Sequence, residues 1–555
     1  MKDVRLSLRD KIGQMLVVGF PGEESGVDQL RKVLDVAKAG SIVLFSRNIG
    51  SAPDLHALIS RVDDIVLAAT GIRPLISVDQ EGGTVARVKR GVTPIPGAMA
   101  QAAAFESGAV SIEDIRSLGR VCGSELRALG FSWNLAPVAD VNSNPGNPVI
   151  GVRSYGADPN TVATLACAFA EGLAEAGILA AAKHFPGHGD TEVDSHLGLP
   201  AIAHDCSRID EVELLPFRRL IEGGIPAVMT AHVQFPAIEP DGLPATLSPR
   251  VILGLLRGKL GFKGLVCTDC LEMKAIADNF PDAAVLAVKA GADLLIVSHT
   301  ADAQIAAAES LYGAVVSGEI DESRIDESLE RILAAKARLP SLLSWSEASK
   351  LLARPESFEL AARVSAASLT VVCEGTGLPP APGSLYVDIA AQADTGVEDG
   401  EAFASVSQAL RARGVPITAV RTGVDPSETQ IAAAVEQAET AFARDSGSGI
   451  VIGYYDAKRH PGQGEMVRRL ARAAASHGRA CGLVSMKSPY DAQAMAALVI
   501  ASGAPAPAVL CAYEYGTLAA ASVADFISGK IRACGRLPTE AHPRHGSRIC
   551  KEASA

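Results

Sequence analysis

No run of apolar residues in this sequence is both long enough and free enough of charge to span a bilayer. The first residues, MKDVRLSLRDKIGQML, alternate charge with apolar positions. They carry neither the uninterrupted apolar core nor the small-residue cleavage site of a signal peptide. The expectation is a soluble protein of the cytoplasm with no membrane partner. A basic stripe is missing too: the formal net charge is −12, and nothing resembles a surface that could replace the counterions of a phosphate backbone, which argues against nucleic acid as a partner. Ten cysteines are scattered from Cys122 to Cys550 at irregular spacing, a pattern that fits reduced core thiols better than a disulfide framework. There is no strong internal repeat, no low-complexity tail and no feature that fixes an oligomeric state.

What is present is a long chain of 555 residues, 48% of them hydrophobic, too long for one ordinary core and apolar enough to bury two. Within the first 340 residues, eight short apolar runs are each followed by a segment of helical periodicity. They are MLVVGF from Met15, SIVLFS from Ser41, PLISVD from Pro74, FSWNLAPVADV from Phe131, ILAAAKH from Ile178, PAVMTAH from Pro226, GLVCTD from Gly264 and DLLIVSH from Asp293. Continuous apolar runs alternating with helices imply parallel strands covered on both faces, and eight such units match a (β/α)₈ TIM-type barrel. Five runs end in Asp79, His184, His232, Asp269 and His299, which a parallel barrel would gather at one mouth. The amphipathic segment from Ile325 to Leu339 predicts a helix that closes this first domain before Pro340. The expected division is a barrel over 1–340, a linker over 341–364 and a C-terminal α/β sandwich domain with a mostly parallel sheet over 365–555. Its strands are predicted at LTVVCE from Leu369, LYVDIA from Leu385, PITAVRT from Pro416, GIVIGYY from Gly449, GLVSMK from Gly482, ALVIAS from Ala497 and AVLCAYE from Ala508.

The richest stretch is KHFPGHGDTEVDSH, from Lys183 to His196, which follows the fifth apolar run. A loop this polar, hung from a buried strand, reads as a site. Its His184, His188, Asp190, Asp194 and His196 are all possible zinc or manganese ligands. Their spacing matches no common metal motif, however, and Lys183 beside them disfavours a cation, so no metal is expected. Cys267 and Cys270 form a lone CxxC split by Asp269, which speaks against a redox or zinc role.

Together with VDQEGG from Val78, VIGVRSYG from Val149, MTAH from Met229 and CTDCLEM from Cys267, this loop resembles glycoside hydrolase family 3, in its β-N-acetylglucosaminidase branch. The resemblance spans roughly residues 10 to 340 and is weaker in the second domain, where YGTLAAASVADFISGKIRACGRLP carries it. It implies a retaining exo-β-N-acetylhexosaminidase that needs no cofactor. The substrate is a small glycoside, terminal β-linked N-acetylglucosamine on cell-wall muropeptides or chitooligosaccharides, in a cell-wall recycling setting. Retaining enzymes attack the anomeric carbon with one carboxylate and use a second group about 5 Å away as acid and base. The resemblance puts the nucleophile at Asp269 and the acid/base at His196, oriented by Asp194. It puts the sugar-binding groups at Asp79, Arg87, Arg153, Lys183 and His184. Plainer roles stand beside these: Asp269 as a helix N-cap, Asp79 as a turn cap ahead of Gly82 and Gly83, and Arg87 or Arg153 as structural salt-bridge partners. His232 and Met273 read as lining. Cys270 and Thr84 depart from the Asp and Arg often found at those points of the family pattern. The glycines at 187 and 189 suggest a joint that lets the dyad move while Lys183 and His184 stay rigid.

Three alternatives remain open on these residues. A His acid/base adds no negative charge beside the glycosyl-enzyme, so phosphate could replace water and the product would be a sugar 1-phosphate. A β-glucosidase could use the same site. A non-catalytic sugar-binding protein is the reading of another class, against which the joint presence of Asp269, Asp194 and His196 speaks. The second domain either buttresses the barrel or lends a loop to its mouth.

Overall fold

The computed structural model describes residues 6–22, 26–390, 398, 404–444 and 448–539. The predicted eight-stranded barrel is there: β1 (Leu16–Val18), β2 (Ser41–Leu44), β3 (Leu75–Val78), β4 (Trp133–Asn134), β5 (Leu179–Phe185), β6 (Ala227–Thr230), β7 (Leu265–Thr268) and β8 (Leu295–Val297). They pair in parallel in the order β8-β1-β2-β3-β4-β5-β6-β7, and a parallel bridge between Cys267 and Leu294 joins β7 to β8. Apart from Leu179, every residue of these strands is buried, because side chains on one face fill the barrel and those on the other meet the helices. β4 is short because Pro137 has no N–H to donate; beyond it, Ala181 and Lys183 still donate to the carbonyls of Ala136 and Pro137.

The closing helix of the barrel runs Glu322–Lys336, three residues ahead of the predicted span at each end, since Asp321 caps it by accepting from the Ser323 N–H. It is fastened to the barrel floor by buried Asp293. That carboxylate accepts from Arg257 (2.6 Å), Ser328 (2.8 Å), Arg331 (2.9 Å) and the Val266 N–H (2.9 Å). A further helix, Pro355–Ser368, packs on the helices Ala98–Glu106 and Thr517–Ile527 and so touches both halves of the molecule.

The second sheet has six strands: β9 (Thr370–Cys373), β10 (Leu385–Ile389), β11 (Thr418–Thr422), β12 (Ile450–Tyr454), β13 (Cys481–Ser485) and β14 (Val509–Cys511). Their order is β9-β14-β13-β12-β10-β11, with only the β9–β14 pair antiparallel. The predicted strand ALVIAS is instead the end of a helix, Ala492–Ala501. That helix buries Ala492, Met495, Ala496 and Val499, a spacing of three and four residues that a short β-branched run hid. The domain docks on the barrel through apolar packing of Cys511 and Tyr513 on Met99, Ala100, Ala103 and Val152. Beside it Glu514 Oε2 accepts from the Gly97 N–H (2.8 Å), at the start of the barrel helix Ala98–Glu106.

Among the described residues no helix is long and apolar enough to cross a membrane. The nine described cysteines are all free thiols, and Cys550 lies outside the described residues.

Candidate active site

A cavity of about 300 Å³ opens at the C-terminal ends of the barrel strands. Asp79, Arg87, Arg153, Lys183, His184, His196 and Asp269 all line it, and Asp194 stands directly behind His196. Asp269 follows β7. Its Oδ1 accepts from the Cys270 N–H (2.7 Å), while the helix beyond it, Lys274–Ala277, has Met273 at its N-cap, so Asp269 caps no helix. Burial alone would raise the Asp269 carboxyl, but the imidazoles of His232, His184 and His196 bring it down to about 2, and it is ionised at neutral pH. Met273 and His299 line the cavity. His232 does not: its Nε2 lies 3.0 Å from the Cys270 carbonyl and its Nδ1 2.8 Å from Thr246 Oγ1, so it holds the residue after Asp269. Burial lowers the His232 pKa, against the opposing charge of Asp269.

The loop after β5 is built by short-range polar contacts. Asp194 Oδ1 accepts from the His196 N–H (2.9 Å) and sits 2.8 Å from His196 Nδ1, which leaves Nε2 as the free ring nitrogen. Burial works against the Asp194 charge, but its bonds to His196 hold the carboxyl below the usual range. The Ser195 carbonyl accepts from the Ala275 N–H (3.3 Å) and ties the dyad to the segment that follows Asp269. His188, pushed down to about 4 by burial and by His184, is neutral and bridges Thr191 Oγ1 (2.9 Å) and Ser195 Oγ (3.1 Å). Both loop glycines have a packing reason. A Cβ on Gly189 would lie 1.8 Å from the Val141 carbonyl oxygen; Gly187 has φ +146° and faces the Glu213 side chain.

The opposite wall is a network of buried charges. Lys183 Nζ lies 2.7 Å from Asp79 Oδ1 and 2.7 Å from Glu81 Oε1, and Arg153 grips Glu81 in a bidentate pair at 2.8 and 2.9 Å. Arg87 Nη2 stands 3.7 Å from Asp79 Oδ2. Burial opposes ionisation of Glu81, yet the charges of Arg153 and Lys183 hold its carboxyl far below the usual range, and their own pKa values are raised in return. Arg153 therefore has a structural salt bridge and a place on the cavity wall at once. Three of its five N–H groups go to Glu81 and to the Val149 carbonyl, so two remain for a ligand. His184 presses Nδ1 on Asp140 Oδ2 (2.7 Å), while Asp140 Oδ1 accepts from the His184 and His188 N–H groups.

Glu81, Asp140 and Arg47 were not among the sequence candidates. Arg47 reaches the wall from the β2 loop and donates to the carbonyls of Phe20 and Ser298. Asp140 could have been found by the strand-end rule, since it closes the run FSWNLAPVADV one residue before its end. The second domain adds Glu398, which pairs with Lys487 at 2.6 Å and lines the same cavity. Among the described residues no group of three or more His, Cys, Asp or Glu is arranged to hold a metal ion.

Residues 7–335 match the glycosyl hydrolase family 3 N terminal domain. The chain belongs to glycoside hydrolase family 3. This family 3 chain is 31% identical over 523 residues to "Beta-hexosaminidase A" of Pseudoalteromonas piscicida, covering 88% of this chain and 85% of the relative. It is 37% identical over 291 residues to a "Beta-hexosaminidase" of Alkalilimnicola ehrlichii, covering 52% of this chain and 81% of that one. Its fold matches the structure of a glycoside hydrolase family 3 beta-N-acetylglucosaminidase from Paenibacillus sp. str. FPU-7 with a TM-score of 0.87 and 38% identity, over 97% of this chain and 99% of that one.

Proposed function

We propose that this family 3 glycoside hydrolase is a retaining exo-β-N-acetylhexosaminidase that releases terminal β-linked N-acetylglucosamine. The observation that carries the reading is that one cavity holds an ionised Asp269 and an imidazole, His196, whose Nδ1 is held by Asp194. In the first step an Asp269 oxygen forms a bond to the anomeric carbon as the bond to the leaving oxygen breaks, and His196 Nε2–H gives that oxygen its proton. Asp194 stabilises the imidazolium and fixes its tautomer, as a carboxylate does in hydrolytic triads. In the second step His196 Nε2 takes a proton from water, whose oxygen displaces Asp269 and restores the original configuration. Lys183 has one N–H left after Asp79 and Glu81, and Arg153 has two. With Asp79, Arg87 and His184 these groups would meet the sugar hydroxyls. The domain limits that go with this reading are 1–340, 341–364 and 365–555, and the setting is cytoplasmic recycling of cell-wall fragments or chitooligosaccharides.

Release of chromophore from an aryl β-N-acetylglucosaminide tests the reading, with activity insensitive to a chelator. Sugar 1-phosphate as the main product in phosphate buffer would replace hydrolysis by phosphorolysis. No turnover of this substrate would overturn the reading altogether.

A further inference from the structure

Between β4 and the short helix Gly151–Arg153, the barrel sends out a loop, 142–150, that meets both the second domain and the loop carrying Asp194 and His196. On its outer side Asn142 Nδ2 donates to Tyr490 Oη (2.8 Å), and Arg459 donates to the Pro148 carbonyl. On its inner side Asn147 Nδ2 donates to the His188 carbonyl (2.9 Å) and to Thr191 Oγ1 (3.2 Å), while Ser143 Oγ donates to Asp190 Oδ1 (2.9 Å). The loop is an arm with the second domain on one side and the Asp194–His196 pair on the other.

Two asparagines stiffen the arm, because each uses its whole amide. Asn142, which is buried, accepts from the Gly151 N–H (3.0 Å) through Oδ1, and its Nδ2 donates to the Asn144 carbonyl (3.3 Å) as well as to Tyr490. Asn147 Oδ1 accepts from the Val149 and Ile150 N–H groups (2.9 and 2.7 Å). The two side chains thus hold adjacent backbone amides, Ile150 and Gly151, and each reaches out of the arm with its nitrogen. What Asn147 grips is the support of the dyad. His188 is buried and lies 2.9 Å from Thr191 Oγ1 and 3.1 Å from Ser195 Oγ, and Ser195 stands between Asp194 and His196.

We propose that the second domain positions the acid/base dyad through this arm, with Tyr490, Asn142 and Asn147 as the positioning residues. The inference rests on the reading of Asp194 and His196 as the acid/base pair of an exo-glycosidase. Proton transfer needs His196 Nε2 within hydrogen-bond reach of the leaving oxygen, and its contribution falls steeply when the ring is misplaced by about 1 Å. A shift of Asn147 moves His188 and Thr191, and His188 passes it to Ser195, the residue that joins the two members of the pair. Without the second domain the Asn142 amide and the Pro148 carbonyl would each lose a partner, and the arm its outer fastening. Buried polar groups are costly to leave unpaired, so the fastening resists being let go.

The test uses two leaving groups that differ in their need for a proton. On the full-length protein and its Asn147→Asp and Tyr490→Phe variants, kcat/KM is measured for 2,4-dinitrophenyl and phenyl β-N-acetylglucosaminide. The first departs as a stable phenolate, and the second depends on His196 to protonate its oxygen. Asn147→Asp keeps the acceptor for the Val149 and Ile150 N–H groups and removes the donor to His188 and Thr191; Tyr490→Phe removes one hydroxyl on the far side of the arm. On the phenyl glycoside the expected falls are about thirtyfold for Asn147→Asp and about fivefold for Tyr490→Phe, against less than about twofold on the dinitrophenyl one. Phe fills the space of the Tyr490 ring, so this variant keeps the measurement valid even where Asn147→Asp disturbs folding. Equal losses on the two substrates, or an unchanged ratio between them in Tyr490→Phe, would overturn the arm. A wild-type protein that turns over neither glycoside would instead remove the exo-glycosidase reading, and the arm's role with it.

Discussion

Glu81 neutralises two buried cations at once, Lys183 at 2.7 Å and Arg153 at 2.8 Å, and through them it sets where two groups of the cavity wall stand. Changing Glu81→Gln keeps the shape and removes the charge, so Lys183 would be left with Asp79 alone and Arg153 with only the more distant charges of Asp140 and Asp79. The expected loss is about 3 kcal/mol of unfolding free energy together with a raised KM, the cost of breaking a buried pair from one side. Urea denaturation and steady-state kinetics on the variant check both. At this scale the sequence was informative where a cavity-lining residue ends a strand: Asp79, His184 and Asp269 each close an apolar run and each line the cavity. Glu81 was not legible in the same way, because its meaning lies in a pairing with Arg153 across 72 positions that no local pattern records. The same holds for Asp140, whose partners His184 and His188 lie 44 and 48 positions away.

At the scale of elements, the loop from Lys183 to His196 is shaped by what it must pass. Gly189 lies so close to the Val141 carbonyl that any side chain would force the backbone aside. The variant Gly189→Ala is therefore expected to displace the Asp194–His196 dyad by a fraction of an ångström to an ångström and to lower kcat about a hundredfold. Barrel stability should hold far better than activity, which a melting curve beside the kinetic assay would show. An undiminished kcat would mean that the approach of Gly189 to Val141 does not position the dyad. The eight barrel strands were readable as elements because burial on both faces writes continuous apolar runs into the sequence. The helix Ala492–Ala501 was not, since an apolar run of six residues has no period of its own and only the alanines before it reveal the helical face. Helix ends were displaced as well, because a cap such as Asp321 competes with the apolar pattern and wins.

At the scale of the molecule, two domains meet around the mouth of a barrel, and Glu514 is a titratable contact between them. Burial pushes its carboxyl up to about 7, against about 4.3 for an unfolded chain. Between those values the folded protein holds more protons than the unfolded one, so this contribution to stability is full below about pH 4 and is lost as pH rises through 7. Glu514→Gln keeps an acceptor for the Gly97 N–H and cannot ionise, so its unfolding midpoint in urea should lose the part of the decline between pH 5 and 7.5 that the wild type shows. Identical pH slopes for the two proteins would contradict the buried contact. The division into two α/β units was legible from length and from the spacing of apolar runs; the docking of one on the other was not, since it depends on side chains such as Tyr513 and Met99 that no periodicity links. The central claim is that the whole assembly is a retaining glycosidase acting through a covalent bond to Asp269. Incubation with a mechanism-based fluorosugar of the N-acetylglucosamine series, followed by peptide mass spectrometry, tests it most directly. One glycosyl adduct per chain, on the peptide that contains Asp269 and absent from Asp269→Ala, is the result expected. An adduct on another residue, or full turnover by Asp269→Ala, would contradict it.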